Sequence, residues 1–102
     1  MNHNDILLGS LLEESWLTLE QAAAACAVEP AWLLARLTEG LIPHAESVAG
    51  VWRLSGAALL HARRMYGIER DFEAVPELAA LVADMLEEMD RLRARLRCLE
   101  PG

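Results

Sequence analysis

The residues that could do chemistry in this chain are three histidines, two cysteines and a large set of carboxylates. His3, His44 and His61 are scattered, and none stands at a metal-ligand spacing from a cysteine or an aspartate. His3 falls in a polar terminus, His44 follows Pro43 in a loop, and His61 lies on a helix, so each is expected at the surface or half-buried. Cys26 and Cys98 are far apart and read as two reduced thiols, with Cys26 on the small-residue face of a helix and expected in the core. Gly40, Gly50 and Gly56 suit turns and caps rather than a phosphate-cradling loop. The sequence therefore predicts no catalytic, metal or cofactor site, and no enzyme. The chemistry that remains is charge.

The chain has 102 residues and a formal net charge of −7. All of its cations are arginines. Such a chain repels nucleic acid and anionic membrane and favours a basic protein partner. Charge is also segregated. Glu69, Asp71, Glu73, Glu77, Asp84, Glu87, Glu88 and Asp90 face a single Arg70, and Arg91, Arg93, Arg95 and Arg97 follow. Acids early in a helix and arginines late complement its dipole, which explains the order but not the density. Asp71, Glu73, Glu77 and Asp84, with Phe72 as apolar anchor, are the expected partner contacts. Trp32 is a second candidate anchor if its indole is exposed, and a tryptophan folded back on the domain is the alternative.

The elements that must position these residues can be read in order. One domain is expected over 1–102, with a head at about 17–54 and C-terminal helices at 55–99. The apolar fraction of 54%, largely Ala and Leu, predicts a mostly α fold. Thr18 can cap a helix, and Gln21 completes a capping box. Trp16 is placed to staple that entry. Ala27-Val28 turns the chain, Glu29-Pro30 opens a second helix, and Gly40 ends it. Leu41 to Leu54 reads as a small β wing with its tip at Glu46 to Gly50, and Trp52 packs inward. Ile6 to Leu12 is expected to pair with Val51 to Leu54 as an arm. Ser55 caps a third helix carrying Ala58, Leu59, Ala62, Met65 and Tyr66. Ile68 to Val75 has the weakest pattern, and Pro76 opens a last helix to about Leu99.

That last helix carries Leu78, Val82, Met85, Met89, Leu92, Leu96 and Leu99 in a heptad seam. Leu81 and Leu86 widen it in the first half, which is expected to dock on the chain's own core. The second half is expected to project and form a homodimer through Met89, Leu92, Leu96 and Leu99. No apolar run is long enough to cross a bilayer, and Met1 to Asp5 lacks a basic start, so the expected location is the cytoplasm.

The head has the layout of a MerR-like winged helix-turn-helix. DNA affinity rests on cations that neutralise phosphates. Yet the second helix offers only Arg36, and the wing from Leu41 to Gly50 offers none. A MerR-type regulator that contacts phosphates through Arg36, Arg53, Arg63 and Arg64 is the competing reading. The stretch LTLEQAAAACAVEPAWLLARLTEGLIPHAE, the strand Trp52-Arg53-Leu54 and the tail DRLRARL together resemble the CbpM chaperone-modulator family. The resemblance runs from about Leu17 to Leu99 and rests on the order of elements. It implies binding to the J-domain of a CbpA-like co-chaperone of the DnaJ class, a block on its stimulation of DnaK, and weaker DNA binding by that co-chaperone. It carries no contact residue over to this chain.

Overall fold

The structure, a computed structural model, describes residues 16–99. The expected arm, Ile6 to Leu12, and His3 lie outside the described residues. The fold is mostly helical, with four helices and a small three-stranded antiparallel sheet among the described residues.

Strand β1, Leu17–Thr18, leads directly into helix α1, Leu19–Cys26. Thr18 Oγ1 accepts the Gln21 amide at 3.1 Å, and Gln21 Oε1 accepts the Thr18 amide at 3.0 Å. This is the capping box expected from the sequence. The Ala27 amide closes on Ala24 and the Val28 amide on Ala23, with Ala27 in the left-handed region. That turn sets helix α2, Pro30–Thr38, across α1. The same two-bond ending recurs at Gly40-Leu41, where a φ of +76° favours glycine.

Strands β2, Ala45–Val48, and β3, Val51–Leu54, form a hairpin, and β3 also pairs with β1, giving the order β1-β3-β2. The expected tip is too long. Glu46, Ser47 and Val48 are strand residues opposite Arg53, Trp52 and Val51. The turn is Ala49-Gly50, both at positive φ, the geometry that matches strand twist in a two-residue hairpin. Leu17 and Thr18 pair with Leu54 and Arg53.

Helix α3, Gly56–Phe72, starts at Ser55, whose hydroxyl accepts the Ala58 amide and donates to the His44 carbonyl at 2.8 Å. It continues through Gly67 and most of the weakly patterned segment to Phe72. Glu73 breaks it with a φ of +51°, and helix α4, Pro76–Leu99, folds back against it.

The core joins Ala22 and Ala23 of α1, Leu33 and Leu37 of α2, Leu54 of β3, and Leu59, Ala62 and Met65 of α3. Helix α4 adds Ala79, Ala80 and Ala83. Here the structure corrects the expected docking. The first half of α4 does dock, but through its alanines and not through the heptad seam. Small side chains let two helix backbones approach closely, so the bulky seam residues turn outward. Of the seam, Leu78 and Met85 are exposed and Val82 is half-buried, and Leu81 beside the seam is exposed as well. His61 is a second correction. It is fully buried, in the stripe Ala58, His61, Ala62, Met65 on the inner face of α3.

Candidate functional site

Trp32 and Arg36, one turn apart on α2, both turn towards α3. Trp32 packs edge-on against Tyr66, ring centroids 5.1 Å apart, and its indole N–H donates to Glu69 Oε1 at 3.2 Å. Arg36 grips the same carboxylate twice, from Nε to Oε2 at 3.0 Å and from NH2 to Oε1 at 2.8 Å. Its other nitrogen reaches Glu39 at 3.1 Å, and its guanidinium lies over the Trp32 ring. Burial alone would raise the Glu69 carboxyl, but the hydrogen bonds from Arg36 and Trp32 outweigh it and hold it below the usual carboxylate range. The same bond from Glu69 raises Arg36. Trp32 is therefore not the exposed anchor the sequence allowed. Its apolar body is half-buried because Tyr66 and Glu69, one turn apart on α3, satisfy its edge and its N–H together.

The elbow between α3 and α4 has the opposite character. Phe72 is 77% exposed, and Val75, Leu78, Leu81 and Met85 continue an uncovered apolar strip onto α4. Asp71, Glu73, Glu77 and Glu88 are exposed around it. Asp71 is partly neutralised by Arg70 at 3.0 Å. Asp71, Phe72, Glu73 and Glu77 are all exposed at this elbow. Asp84 is exposed too but is parted from them. Its carboxylate lies 3.6 Å from His61 Nδ1, towards α3.

A third cluster joins α3 and α4. His61 Nδ1 lies 2.8 Å from Glu87 Oε1, and Nε2 lies 3.0 Å from the Leu41 carbonyl. Ligand-capable atoms of His61, Asp84 and Glu87 all fall within 4.8 Å of one another. Glu87 also borders a shallow cleft of about 430 Å³ that reaches His44, Arg64 and Asp90. Arg64 pairs with Asp90 across the same helix junction. Ligand spacing along the chain does not reveal this set, because α3 and α4 supply its members. Two signals were present: the apolar period that carries His61 inward, and Asp84 and Glu87 one turn apart.

Beyond Asp90, α4 is exposed on all sides. Met89, Leu92, Leu96 and Leu99 keep their side chains in solvent, as a projecting seam requires. Glu88 is engaged by Arg91 of its own helix, which weakens its case as the partner of an arginine on a second copy. Cys26 is half-buried, and its thiol donates to the Leu59 carbonyl at 3.5 Å. Burial pushes that thiol up to about 12, with Arg63 opposing. Cys98 is exposed. No helix among the described residues is long and apolar enough to cross a membrane.

No protein-family model, curated protein or solved structure matches the chain.

Proposed function

We propose that this protein is a non-enzymatic chaperone modulator that captures the J-domain of a CbpA-like co-chaperone of the DnaJ class and blocks its stimulation of DnaK. The observation that carries this reading is the elbow surface: an uncovered apolar strip from Phe72 to Met85, rimmed by Asp71, Glu73, Glu77 and Glu88. A J-domain offers a basic helix beside the HPD turn that DnaK must reach. Apolar contact supplies affinity to such a helix, and opposite charge speeds encounter. An acidic module seated there inhibits by occlusion.

In this reading the head is a winged helix-turn-helix scaffold converted from DNA to protein work. Helices α1 and α2 followed by the β2–β3 hairpin have the chain order such a scaffold needs. The MerR-type DNA reader is the weaker alternative. Of its four proposed phosphate contacts, Arg36, Arg53 and Arg64 are already ion-paired with Glu69, Glu46 and Asp90. Homodimerisation through Met89, Leu92, Leu96 and Leu99 is part of the same proposal, and leaves the elbow of each copy open.

Titrating the isolated J-domain into the full chain by calorimetry tests the contact directly. The proposal expects a one-to-one complex that weakens with added salt. Absence of heat and of co-elution at low salt would reject it.

A further inference from the structure

We propose that His61, Asp84 and Glu87 form a binding site for one divalent transition-metal ion, with zinc the best fit. Both nitrogens of the His61 imidazole face oxygen acceptors, the Leu41 carbonyl at 3.0 Å and the Glu87 carboxylate at 2.8 Å. A neutral ring carries one N–H. Placed on Nε2, that proton satisfies Leu41, and Nδ1 then turns a lone pair towards a carboxylate. Two acceptors in contact need a positive charge between them. A metal ion supplies it, and so does a second ring proton.

Three features favour the metal. Asp84 brings a second carboxylate to the same nitrogen at 3.6 Å, where one proton would serve a single oxygen. The bond from the distal nitrogen to a backbone carbonyl is the outer contact that fixes the tautomer of a metal-ligating histidine. The spacing also fits. Zinc holds nitrogen and oxygen donors at about 2.0–2.2 Å, which puts neighbouring donors of a tetrahedral site roughly 3.3 Å apart. The observed separations of 2.8 and 3.6 Å lie either side of that value.

One imidazole nitrogen with two carboxylates suits zinc or another late first-row ion, whereas magnesium and calcium prefer all-oxygen shells. The imidazole is buried in α3, and the carboxylates sit one turn apart on α4 with Asp84 exposed. The ion therefore clamps the α3–α4 hairpin from its open side. Three protein ligands leave a coordination position for water or for a group from a partner.

The test is a zinc titration of the full chain carrying Cys98→Ser, which removes the exposed thiol as a competing ligand. Calorimetry and thermal unfolding are read together. The proposal expects one zinc per chain at micromolar concentration, a raised Tm, and no response to magnesium. Asp84→Asn changes an exposed side chain, so it leaves the metal-free Tm in place. It should weaken zinc binding by at least about tenfold. Glu87→Gln should do the same. Unchanged zinc affinity in both variants would place the ion elsewhere and overturn the proposal. So would a lack of binding at submillimolar zinc, which would leave a proton between His61 and Glu87.

Discussion

Arg36 of α2 holds Glu69 of α3 in a two-point grip, with both side chains about 15% exposed or less. The bond spans the two helices and takes up the only cation of α2. Glu69→Ala would leave a half-buried guanidinium and the Trp32 N–H without their acceptor. The expected loss is about 2 kcal/mol, the range for a hydrogen bond to a charged group. Urea unfolding should show it as a lower midpoint with an unchanged slope. An unaltered midpoint would mean the grip contributes nothing to the fold.

The same pair sets a pH dependence. Glu69 is held below its ordinary range when folded, so its stabilisation is fully present above the unfolded carboxyl value of about 4.3. It is lost as pH falls through the lower folded value. The stability gap between wild type and Glu69→Gln should be constant from pH 8 to about 6 and shrink below about 4. A gap that widens in acid would contradict the assignment.

If the elbow is the proposed J-domain contact, affinity and encounter should separate there. Phe72→Ser removes an exposed side chain and should leave the unfolding midpoint in place. In stopped flow it should raise the dissociation rate of the J-domain roughly tenfold or more, as loss of an interface anchor does. Reversing Asp71, Glu73 and Glu77 should act instead on association, slowing it and flattening its salt dependence. Arg70 already compensates Asp71, so most of that effect should come from Glu73 and Glu77. An association rate untouched by the triple change would move the contact away from the elbow.

The seam predicts assembly. Leu92→Asp with Leu96→Asp should give a folded monomer, because both side chains lie outside the core. Arg91, Arg93, Arg95 and Arg97 crowd each copy of the seam, so the wild-type dimer should tighten with added salt, opposite to the J-domain contact. Sedimentation that finds the wild type monomeric at tens of micromolar, an order-of-magnitude limit for a useful interface, would remove the dimer.

The two thiols should differ in reactivity. The thiolate is the nucleophile. Cys26, pushed up to about 12 by burial, should stay unmodified at pH 8, while exposed Cys98 reacts. Ellman's reagent should count one thiol in the native protein and two in denaturant. Two fast native thiols would mean Cys26 is more open than its surroundings imply.

Local rules made much of the fold legible. Thr18 and Ser55 as caps, Gly40 as a stop and Pro76 as a start are decided within one turn of chain, and each is found in place. Tertiary packing decided the rest. The heptad seam of α4 outweighs its alanines in any count of hydrophobicity, yet Ala79, Ala80 and Ala83 take the core against α3. Asp71, Phe72, Glu73 and Glu77, offered by the sequence as partner contacts, are exposed. Trp32 was open to either an outward or an inward reading, and the inward one is decided by Tyr66 and Glu69 arriving from another helix. The meeting of His61 with Asp84 and Glu87 was hidden for the same reason.

The most direct measurement is DnaK's ATP hydrolysis with a fixed amount of the CbpA-like co-chaperone and increasing amounts of this protein. The account predicts that co-chaperone stimulation falls to DnaK's basal rate as the protein saturates the J-domain, and that Phe72→Ser shifts the curve to higher concentration. Full stimulation at saturating protein would contradict it.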